Sequence, residues 1–268
     1  MVEIMQHSIC LETIFTELPF YDRFEAAFKA GFQYVEFWTW ENKDLRRIKE
    51  LSEKYSLTIA SFSGDKDFNL VDIEEQGKYI NFVEKSIEAA KELNCNHLVI
   101  HSNALGEEGV VVNHFTEIPK AIRLESAFKT LMKLKSIVEQ NKIVLVLEAL
   151  NTVIDHVGNT LETTEETSDL IREVNSDYIK VLYDVYHMQI NEGNIIHTIK
   201  KNIDAIDYIH VADVPGRHEP GTGEINYNNV FRCLKQLKYK GVLGYELFPL
   251  THSDKAIETI RNLIDEVN

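Results

Sequence analysis

The sequence has few cysteines and no long apolar run, and each shortage excludes a class of protein. Its three cysteines, Cys10, Cys95 and Cys233, are widely spaced and form no CxxC or Cys/His motif. This spacing excludes a disulfide framework or a zinc finger and is typical of reduced thiols in the cytoplasm. No stretch approaches the ~18 consecutive apolar residues of a membrane-spanning helix. The N-terminus lacks the basic and apolar segments of a signal peptide, so we expect a cytoplasmic protein.

Basic residues are also in short supply. There are 28 Lys and Arg against 43 Asp and Glu, which gives a net charge of −15. Such a charge repels phosphodiester backbones and anionic membranes, and we therefore expect no nucleic-acid or membrane partner. An anionic metabolite stays compatible with this charge if a divalent cation neutralises it locally. The glycine-rich motifs GxGxxG and GxxxxGK[ST] are missing, so we expect no nucleotide cofactor.

Short apolar runs instead alternate with amphipathic stretches along the whole chain. The predicted strands are Glu3–Cys10, Gln33–Trp38, Leu57–Phe62, His97–His101, Ile143–Glu148, Ile179–Asp184, Ala205–His210 and Val242–Glu246. The predicted helices are Phe20–Ala30, Asn42–Tyr55, Ile73–Leu93, Ile118–Gln140, Thr163–Val174, Gly193–Asn202, Tyr227–Leu237 and Ser253–Val267.

Eight strands that are each followed by a helix predict an α/β protein. The specific architecture predicted is a single (β/α)8 TIM barrel over residues 1–268. The alternative is a doubly wound open sheet, which would need a break in the alternation or a glycine-rich first turn. Neither feature is found, and no Pro/Gly/Ser-rich linker divides the chain.

Polar side chains lie where the predicted strands end, which is where TIM barrels carry their active sites. They are His101 on the fourth strand, Glu148 and Asn151 on the fifth, Asp184 and His187 on the sixth, His210 and Asp213 on the seventh and Glu246 on the eighth. A carboxylate that directly follows a buried apolar run needs a cation or hydrogen-bond donors beside it. Any one of these residues could simply cap the next helix, but this explanation fails for the set.

Four of these residues predict a metal site. Glu148, Asp184, His210 and Glu246 come from neighbouring strands and would converge at the barrel mouth. Three carboxylates and one imidazole are untenable together without a cation. Oxygen-rich ligation favours Mg²⁺ or Mn²⁺, and Co²⁺, Fe²⁺ or Zn²⁺ are compatible with it.

Two further residues are candidates for binding a substrate. His187 lies three residues beyond Asp184 and could reach the same cavity, and the alternative is a histidine at a helix start. Arg217 lies in the segment VPGRHEPGTGEINY, where its guanidinium could bind a carboxylate or a polyol. The alternative for Arg217 is a surface ion pair with Glu219.

Several segments together resemble a known family. They are FTELPFYDRFEAAFKAGFQYVEFW (15–38), EALN with DHVGNTLETTEE (148–166), YDVYHMQINEGN (183–194) and HVADVPGRHEPGTGEINY (210–227). They are similar to the hydroxypyruvate isomerase group of the xylose-isomerase-like (AP endonuclease family 2) TIM barrels. The resemblance extends over essentially the whole chain.

The resemblance implies a role for each matching residue. Glu148 and Glu246 would be paired acid/base glutamates that also contact the metal, with Asp184 and His210 as the other ligands. The implied substrate-binding residues are His187 and Arg217, and we add His101, Asn151 and Glu219 from the same strand ends and loop. Dimers or tetramers are expected in this family, so a homo-oligomer is expected here.

The function that follows is metal-dependent isomerisation of a small hydroxy-oxo acid through a cis-enediolate, with the two glutamates moving the proton. His210 stands where hydroxypyruvate isomerases carry Gln and sugar 3-epimerases carry His. Ketose 3-epimerisation and 2-oxo-tetronate isomerisation are therefore alternatives. Inosose-type dehydration, an endonuclease and a non-catalytic sugar-binding barrel are weaker alternatives, the endonuclease because it would need a basic surface.

Overall fold

The eight strands form a closed parallel barrel in the order β1 to β8, and β8 pairs with β1. A computed structural model describes residues 5–267 of the chain. The predicted (β/α)8 TIM barrel is confirmed, because each strand pairs in parallel with its sequence neighbour.

The elements have the following bounds. The strands are β1 Gln6–Cys10, β2 Tyr34–Phe37, β3 Thr58–Ser63, β4 His97–His101, β5 Val144–Glu148, β6 Ile179–Asp184, β7 Ile206–His210 and β8 Val242–Tyr245. The helices are α1 Arg23–Lys29, α2 Leu45–Tyr55, α3 Gln76–Leu93, α4 Lys120–Asn141, α5 Thr164–Val174, α6 Val185–Asn191, α7 Ile195–Asn202, α8 Tyr227–Gln236 and α9 Ser253–Val267. Among residues 5–267, no helix is long and apolar enough to cross a membrane.

The predicted boundaries differ from the observed ones at several ends. The first strand was expected from Glu3, but residues 3 and 4 lie outside the described part of the chain. Helix α2 begins after Asp44, whose side chain accepts a hydrogen bond from the backbone N of Arg47 at 3.1 Å, and not at Asn42. Strand β8 ends at Tyr245, one residue before Glu246.

Helix α6 was missed by the sequence analysis. It follows β6 without a loop, because the side chain of Asp184 accepts a hydrogen bond from the backbone N of His187 at 3.0 Å and so caps the new helix. The predicted helix Gly193–Asn202 corresponds to α7, which begins two residues later. Helix α6 places His187 in its first turn, beside the end of β6.

The barrel interior is filled by a small apolar cluster below its mouth. Its buried members are Ala60, Val99, Val146, Leu182, Tyr208 and Val242. Side chains two residues apart on a strand point to the same side. The residues two positions after Val99, Val146, Leu182 and Tyr208 are His101, Glu148, Asp184 and His210, so strand periodicity aims these four side chains into the mouth. Strand register then places His101 opposite Glu148 and Asp184 opposite His210.

Gly244 on β8 makes room for a buried carboxylate. A Cβ atom at this position would lie 2.5 Å from Oε2 of Glu36 on β2. The Glu36 carboxylate cannot easily move away, since the hydroxyl of Tyr208 donates to it and His210 lies 3.2 Å from its other oxygen.

We expect Gly244→Ala to lower the free energy of unfolding by about 1–3 kcal/mol, because the added methyl group overpacks the space that Glu36 fills. Gly77→Ala in α3 is the matched control, since a Cβ there meets no atom within 4 Å. That change should be neutral or stabilise the protein by up to about 1 kcal/mol. Urea denaturation of both variants measures the difference, and equal stabilities would contradict the packing argument.

Candidate active site

The four residues predicted to bind a metal lie together in one buried cluster at the barrel mouth. One ligand atom from each of Glu148, Asp184, His210 and Glu246 lies within 4.8 Å of the others. Nδ1 of His210 is 3.4 Å from Oε2 of Glu246, 3.6 Å from Oε1 of Glu148 and 3.9 Å from Oδ2 of Asp184. None of the four is more than 7% exposed, so bulk water does not screen their charges.

Glu36 orients the imidazole of His210 from behind. Oε1 of Glu36 lies 3.2 Å from Nε2 of His210. The two atoms are within ion-pair distance, the charge of Glu36 helps to raise the pKa of His210, and the opposite ring nitrogen, Nδ1, faces the cluster. Histidines that bind metals usually have a carboxylate or carbonyl group beside their second ring nitrogen, which is the position of Glu36 here. Glu36 is not among the residues predicted from the sequence, although a Glu within the apolar strand Tyr34–Phe37 is a signal that could have revealed it.

The cluster has two more partners on the side of Glu246. Arg217 donates to Oε2 of Glu246, and its Nη2 lies 3.4 Å from Oδ2 of Asp184. Nε1 of Trp38, a residue at the rim that the sequence analysis did not select, donates to Oε1 of Glu246. Within residues 5–267, Nε of Arg217 is buried without a hydrogen-bond partner.

Glu219, a predicted substrate contact, lies in the same loop as Arg217 but has a different partner. Its Oε2 accepts from the backbone N of Leu250 at 2.9 Å, and its side chain is buried. Glu219 thereby joins the loop after β7 to the loop after β8. The guanidinium of Arg217 faces the carboxylates of the cluster.

His101 bridges two carboxylates at the other side of the mouth. Its Nε2 is 3.2 Å from Oε2 of Glu148, and its Nδ1 is 3.1 Å from Oδ1 of Asp65. The other oxygen of Asp65 accepts from the backbone N of His101 at 2.6 Å. Burial works against the charged imidazole, but Asp65 and Glu148 outweigh it and raise the pKa of His101 to about 10. Asp65 follows β3 and was not selected from the sequence.

The pKa values of two acids in the cluster, Asp184 and Glu148, shift in opposite directions. Burial raises the pKa of Asp184 to about 7, although the nearby Arg217 opposes this shift. Burial also acts to raise the pKa of Glu148, but the hydrogen bond from His101 and the nearby charge of His210 outweigh it and hold this pKa well below its usual range. The pKa of His210 lies well above its usual value, because Glu246 and Glu36 outweigh the effect of burial.

His187 presents an N–H group to the same space. Oδ1 of Asn151 accepts from the backbone N of Ile154 and of Asp155 at 3.0 Å each, which fixes the orientation of the amide. Nδ2 of Asn151 therefore donates to Nδ1 of His187 at 2.7 Å. Burial and the charge of Arg217 hold the pKa of His187 well below its usual value, so the ring is neutral and its proton is on Nε2. Asn151 was predicted to contact the substrate. In the structure its amide instead donates to His187 and so fixes which ring nitrogen carries the proton.

The cluster fits a divalent cation. Oε1 of Glu148 and Nδ1 of His210 are buried and have no hydrogen-bond partner in the described part of the chain, residues 5–267. Buried polar atoms normally have partners, so orphaned atoms that converge on one point indicate a missing ligand. Three carboxylates with one imidazole are a donor set suited to Mg²⁺ or Mn²⁺.

The fold and this buried, acidic cluster define a (β/α)8 barrel with a candidate metal centre at the carboxyl ends of its strands. The chain belongs to the xylose isomerase-like TIM barrel family, which it matches over residues 24–265.

Relatives with assigned names cover nearly the full length of the chain. It is 29% identical to the hydroxypyruvate isomerase of Escherichia coli (strain K12) over 267 residues, which cover 95% of this chain and 97% of that one. It is 28% identical to the 2-oxo-tetronate isomerase of Haemophilus influenzae over 247 residues, covering 89% and 92%. The crystal structure of an AP endonuclease, family 2, from Brucella melitensis superposes with a TM-score of 0.87 at 25% identity, covering 97% and 99%.

We expect the affinity for Mn²⁺ to rise by at least roughly tenfold from about pH 6 to about pH 8. Asp184 is neutral below its pKa of about 7 and must be ionised to bind a cation. His210 acts in the same direction, because its raised pKa makes it lose a proton on binding. Calorimetry in buffers of different ionisation enthalpy measures both the affinity and the protons released.

Asp207→Asn is the matched control for this pH dependence. Asp207 is an acid on β7 that pairs with His97, away from the cluster, at a distance of 3.1 Å. This variant should keep the slope of affinity against pH. An affinity for Mn²⁺ that is constant over this pH range in the wild type would contradict the assignment of Asp184 as a ligand.

Proposed function

We propose that this protein is a metal-dependent isomerase of a small hydroxy-oxo acid, similar in activity to hydroxypyruvate isomerase. The observation that carries the proposal is the convergence of Glu148, Asp184, His210 and Glu246 in one buried cluster. Such a site suits proton transfer between adjacent carbons, because the carbon acid needs both a base and stabilisation of the charge that develops on oxygen.

The four residues of the cluster would hold one divalent cation, with Mg²⁺ or Mn²⁺ as the first choices. When bound, the cation supplies Lewis-acid stabilisation of the negative charge on the substrate oxygens. Glu36 keeps Nδ1 of His210 directed at the cluster.

Glu148 and Glu246 would divide the proton transfer. One carboxylate removes the proton from the hydroxyl-bearing carbon, and the other returns a proton to the neighbouring carbon. The hydroxyl proton passes to the former carbonyl oxygen, so that the carbonyl and hydroxyl groups exchange places. The direction of reaction decides which glutamate acts first. A hydrogen bond with His101 holds Glu148 in place, while hydrogen bonds from Trp38 and Arg217 hold Glu246.

His187 and Arg217 would bind the rest of the substrate. The Nε2–H group of His187 is buried beside Asp184 and can donate to a substrate oxygen. Nε of Arg217 is available to a carboxylate, and a guanidinium suits this group because it can donate two parallel hydrogen bonds. The hydride or electron carriers of redox enzymes are not needed, since the oxidation at one carbon balances the reduction at the next.

A 2-oxo-tetronate is the second candidate substrate. The support for it is the Haemophilus influenzae relative, whose name states this activity and which is as similar to the chain as the hydroxypyruvate isomerase. Both substrates are 2-oxo acids with an adjacent hydroxyl-bearing carbon, so the same residues would serve for either one.

Glu148→Gln and Glu246→Gln should each reduce the incorporation of solvent deuterium next to the substrate carbonyl by at least about a hundredfold, because an amide cannot accept the proton. NMR of the Mn²⁺-free product after reaction with hydroxypyruvate in D₂O measures the incorporation. Glu224→Gln is the matched control, because Glu224 lies in the loop after β7 and bonds to the side chain of Gln189. Full exchange in both active-site variants would overturn the roles proposed for the two glutamates.

A substrate panel separates isomerisation from its alternative. We expect the Mn²⁺-loaded protein to convert hydroxypyruvate into its aldehyde isomer, or a 2-oxo-tetronate into its 3-oxo isomer, and to leave ketohexoses unchanged on the same timescale. NMR of each mixture identifies the products. Inversion at carbon 3 of a ketohexose without turnover of either acid would replace the isomerase proposal with an epimerase.

A further inference from the structure

His156 lies beside the site but has no place in the mechanism described so far. It follows β5, is 6% exposed, and its ring packs edge-on against that of His187 with centroids 5.0 Å apart. Nε2 of His187 in turn lies 3.6 Å from Oδ2 of Asp184, a member of the cluster. His156 therefore adjoins the cluster through His187.

The hydrogen bonds of His156 fix which nitrogen carries its proton. Nδ1 is 2.7 Å from the carbonyl oxygen of Gly109, which can only accept, so Nδ1 is the donor. Burial lowers the pKa of His156, and the ring is neutral at pH 7. Nε2 therefore has a free lone pair, and it is buried without a hydrogen-bond partner in the described chain.

A cation could in principle use this lone pair, because ligand atoms of Asp155, His156 and His187 lie within 4.8 Å of one another. The hydrogen bonds argue against a cation here. Nδ2 of Asn151 donates to Oδ2 of Asp155 at 2.7 Å and to Nδ1 of His187 at 2.7 Å. Amide hydrogens thus already take up these acceptors, and a cation would face the positive end of the amide dipole.

The two histidines instead offer one donor and one acceptor side by side. Nε2 of His187 carries a proton, whereas Nε2 of His156 carries a lone pair. A hydroxyl group can use both, since it donates and accepts, while a carboxylate or carbonyl oxygen can use only the donor.

We infer that Nε2 of His156 accepts a hydrogen bond from a substrate hydroxyl group, so that the site selects a hydroxylated chain over its deoxy analogue. This inference rests on the proposed function, because it concerns the substrate of that same site. A buried acceptor left unpaired by the deoxy analogue is the physical source of the selectivity.

The competing explanation is that His156 only holds the loop after β4. Gly109 lies in that loop with φ of +77°, and a Cβ there would be 2.8 Å from Cε1 of His156. The loop and the ring are therefore in close contact, and the hydrogen bond to the Gly109 carbonyl joins them. A test must separate this contact from recognition of a hydroxyl group.

Two conservative variants make this separation. His156→Asn keeps an N–H near the position of Nδ1 and loses the acceptor at Nε2. His156→Gln places an amide oxygen near the position of Nε2 and loses the bond to the Gly109 carbonyl. Recognition of a hydroxyl group predicts the loss of selectivity in the Asn variant alone, whereas a purely structural role predicts the larger defect in the Gln variant.

The readout is the binding of unreactive acids to the Mn²⁺-loaded protein, measured by calorimetry. The probes are glycerate against lactate and erythronate against 2-hydroxybutanoate, since the members of each pair differ only in hydroxyl groups. We expect the wild type to prefer the hydroxylated member of at least one pair by about tenfold or more. The preference should fall at least about fivefold in His156→Asn and stay within about threefold of wild type in His156→Gln.

Four outcomes would overturn the inference: no hydroxyl preference in the wild type, an unchanged preference in His156→Asn, a larger loss of preference in His156→Gln than in His156→Asn, or a second Mn²⁺ per wild-type chain that both variants lose.

Deuterium exchange into hydroxypyruvate is measured on the same wild-type sample, so that the proposed function is tested separately from the role of His156. Exchange without any hydroxyl preference would leave the proposed function standing and remove only the role of His156. A hydroxyl preference without exchange on any substrate of the panel would remove the proposed function and leave the role of His156 standing.

Discussion

The barrel mouth depends on the contacts of one imidazole with carboxylates on both of its sides. His210 has Glu36 at its Nε2 and three further acids facing its Nδ1. Buried like charges repel one another strongly at low dielectric, so such a set persists only where positive charge and N–H donors surround it. Arg217, His101 and Trp38 supply these groups from three different parts of the chain. The negative charge of the cluster thus requires cationic side chains and N–H donors at the border of the pocket.

Strand periodicity explains how much of this site the sequence predicts. Glu148, Asp184 and His210 each lie two residues after an inward-facing core residue, at the end of an apolar strand. This pattern can be recognised without coordinates, because parallel strands of a barrel bring their carboxyl ends together. The eight strands, the barrel and the convergence of the four residues were all predictable on this basis.

The partners of these residues were not predictable in the same way. Glu36 contacts His210 across the barrel interior, and Asp65 contacts His101 from the end of the preceding strand. These pairs depend on through-space distances that no local pattern encodes. His156 depends on a loop contact with Gly109, and helix α6 depends on a capping bond that hydrophobic periodicity does not register. Sequence patterns therefore reveal the residues that end strands more readily than the residues that orient them.

The capping bond at the start of α6 limits which side chain can occupy position 184. One oxygen of Asp184 accepts from the backbone N of His187, and the other faces His210 and Arg217. An Asn would keep a capping oxygen but lose the charge, and a Glu would keep the charge but set its carboxylate one methylene too far from the helix. Helix geometry and ligand chemistry thus select the same residue independently. A lineage that abandoned cation binding would still be held to a short polar side chain here, so an Asp at this position is weaker evidence of activity than a Glu at position 148 or 246.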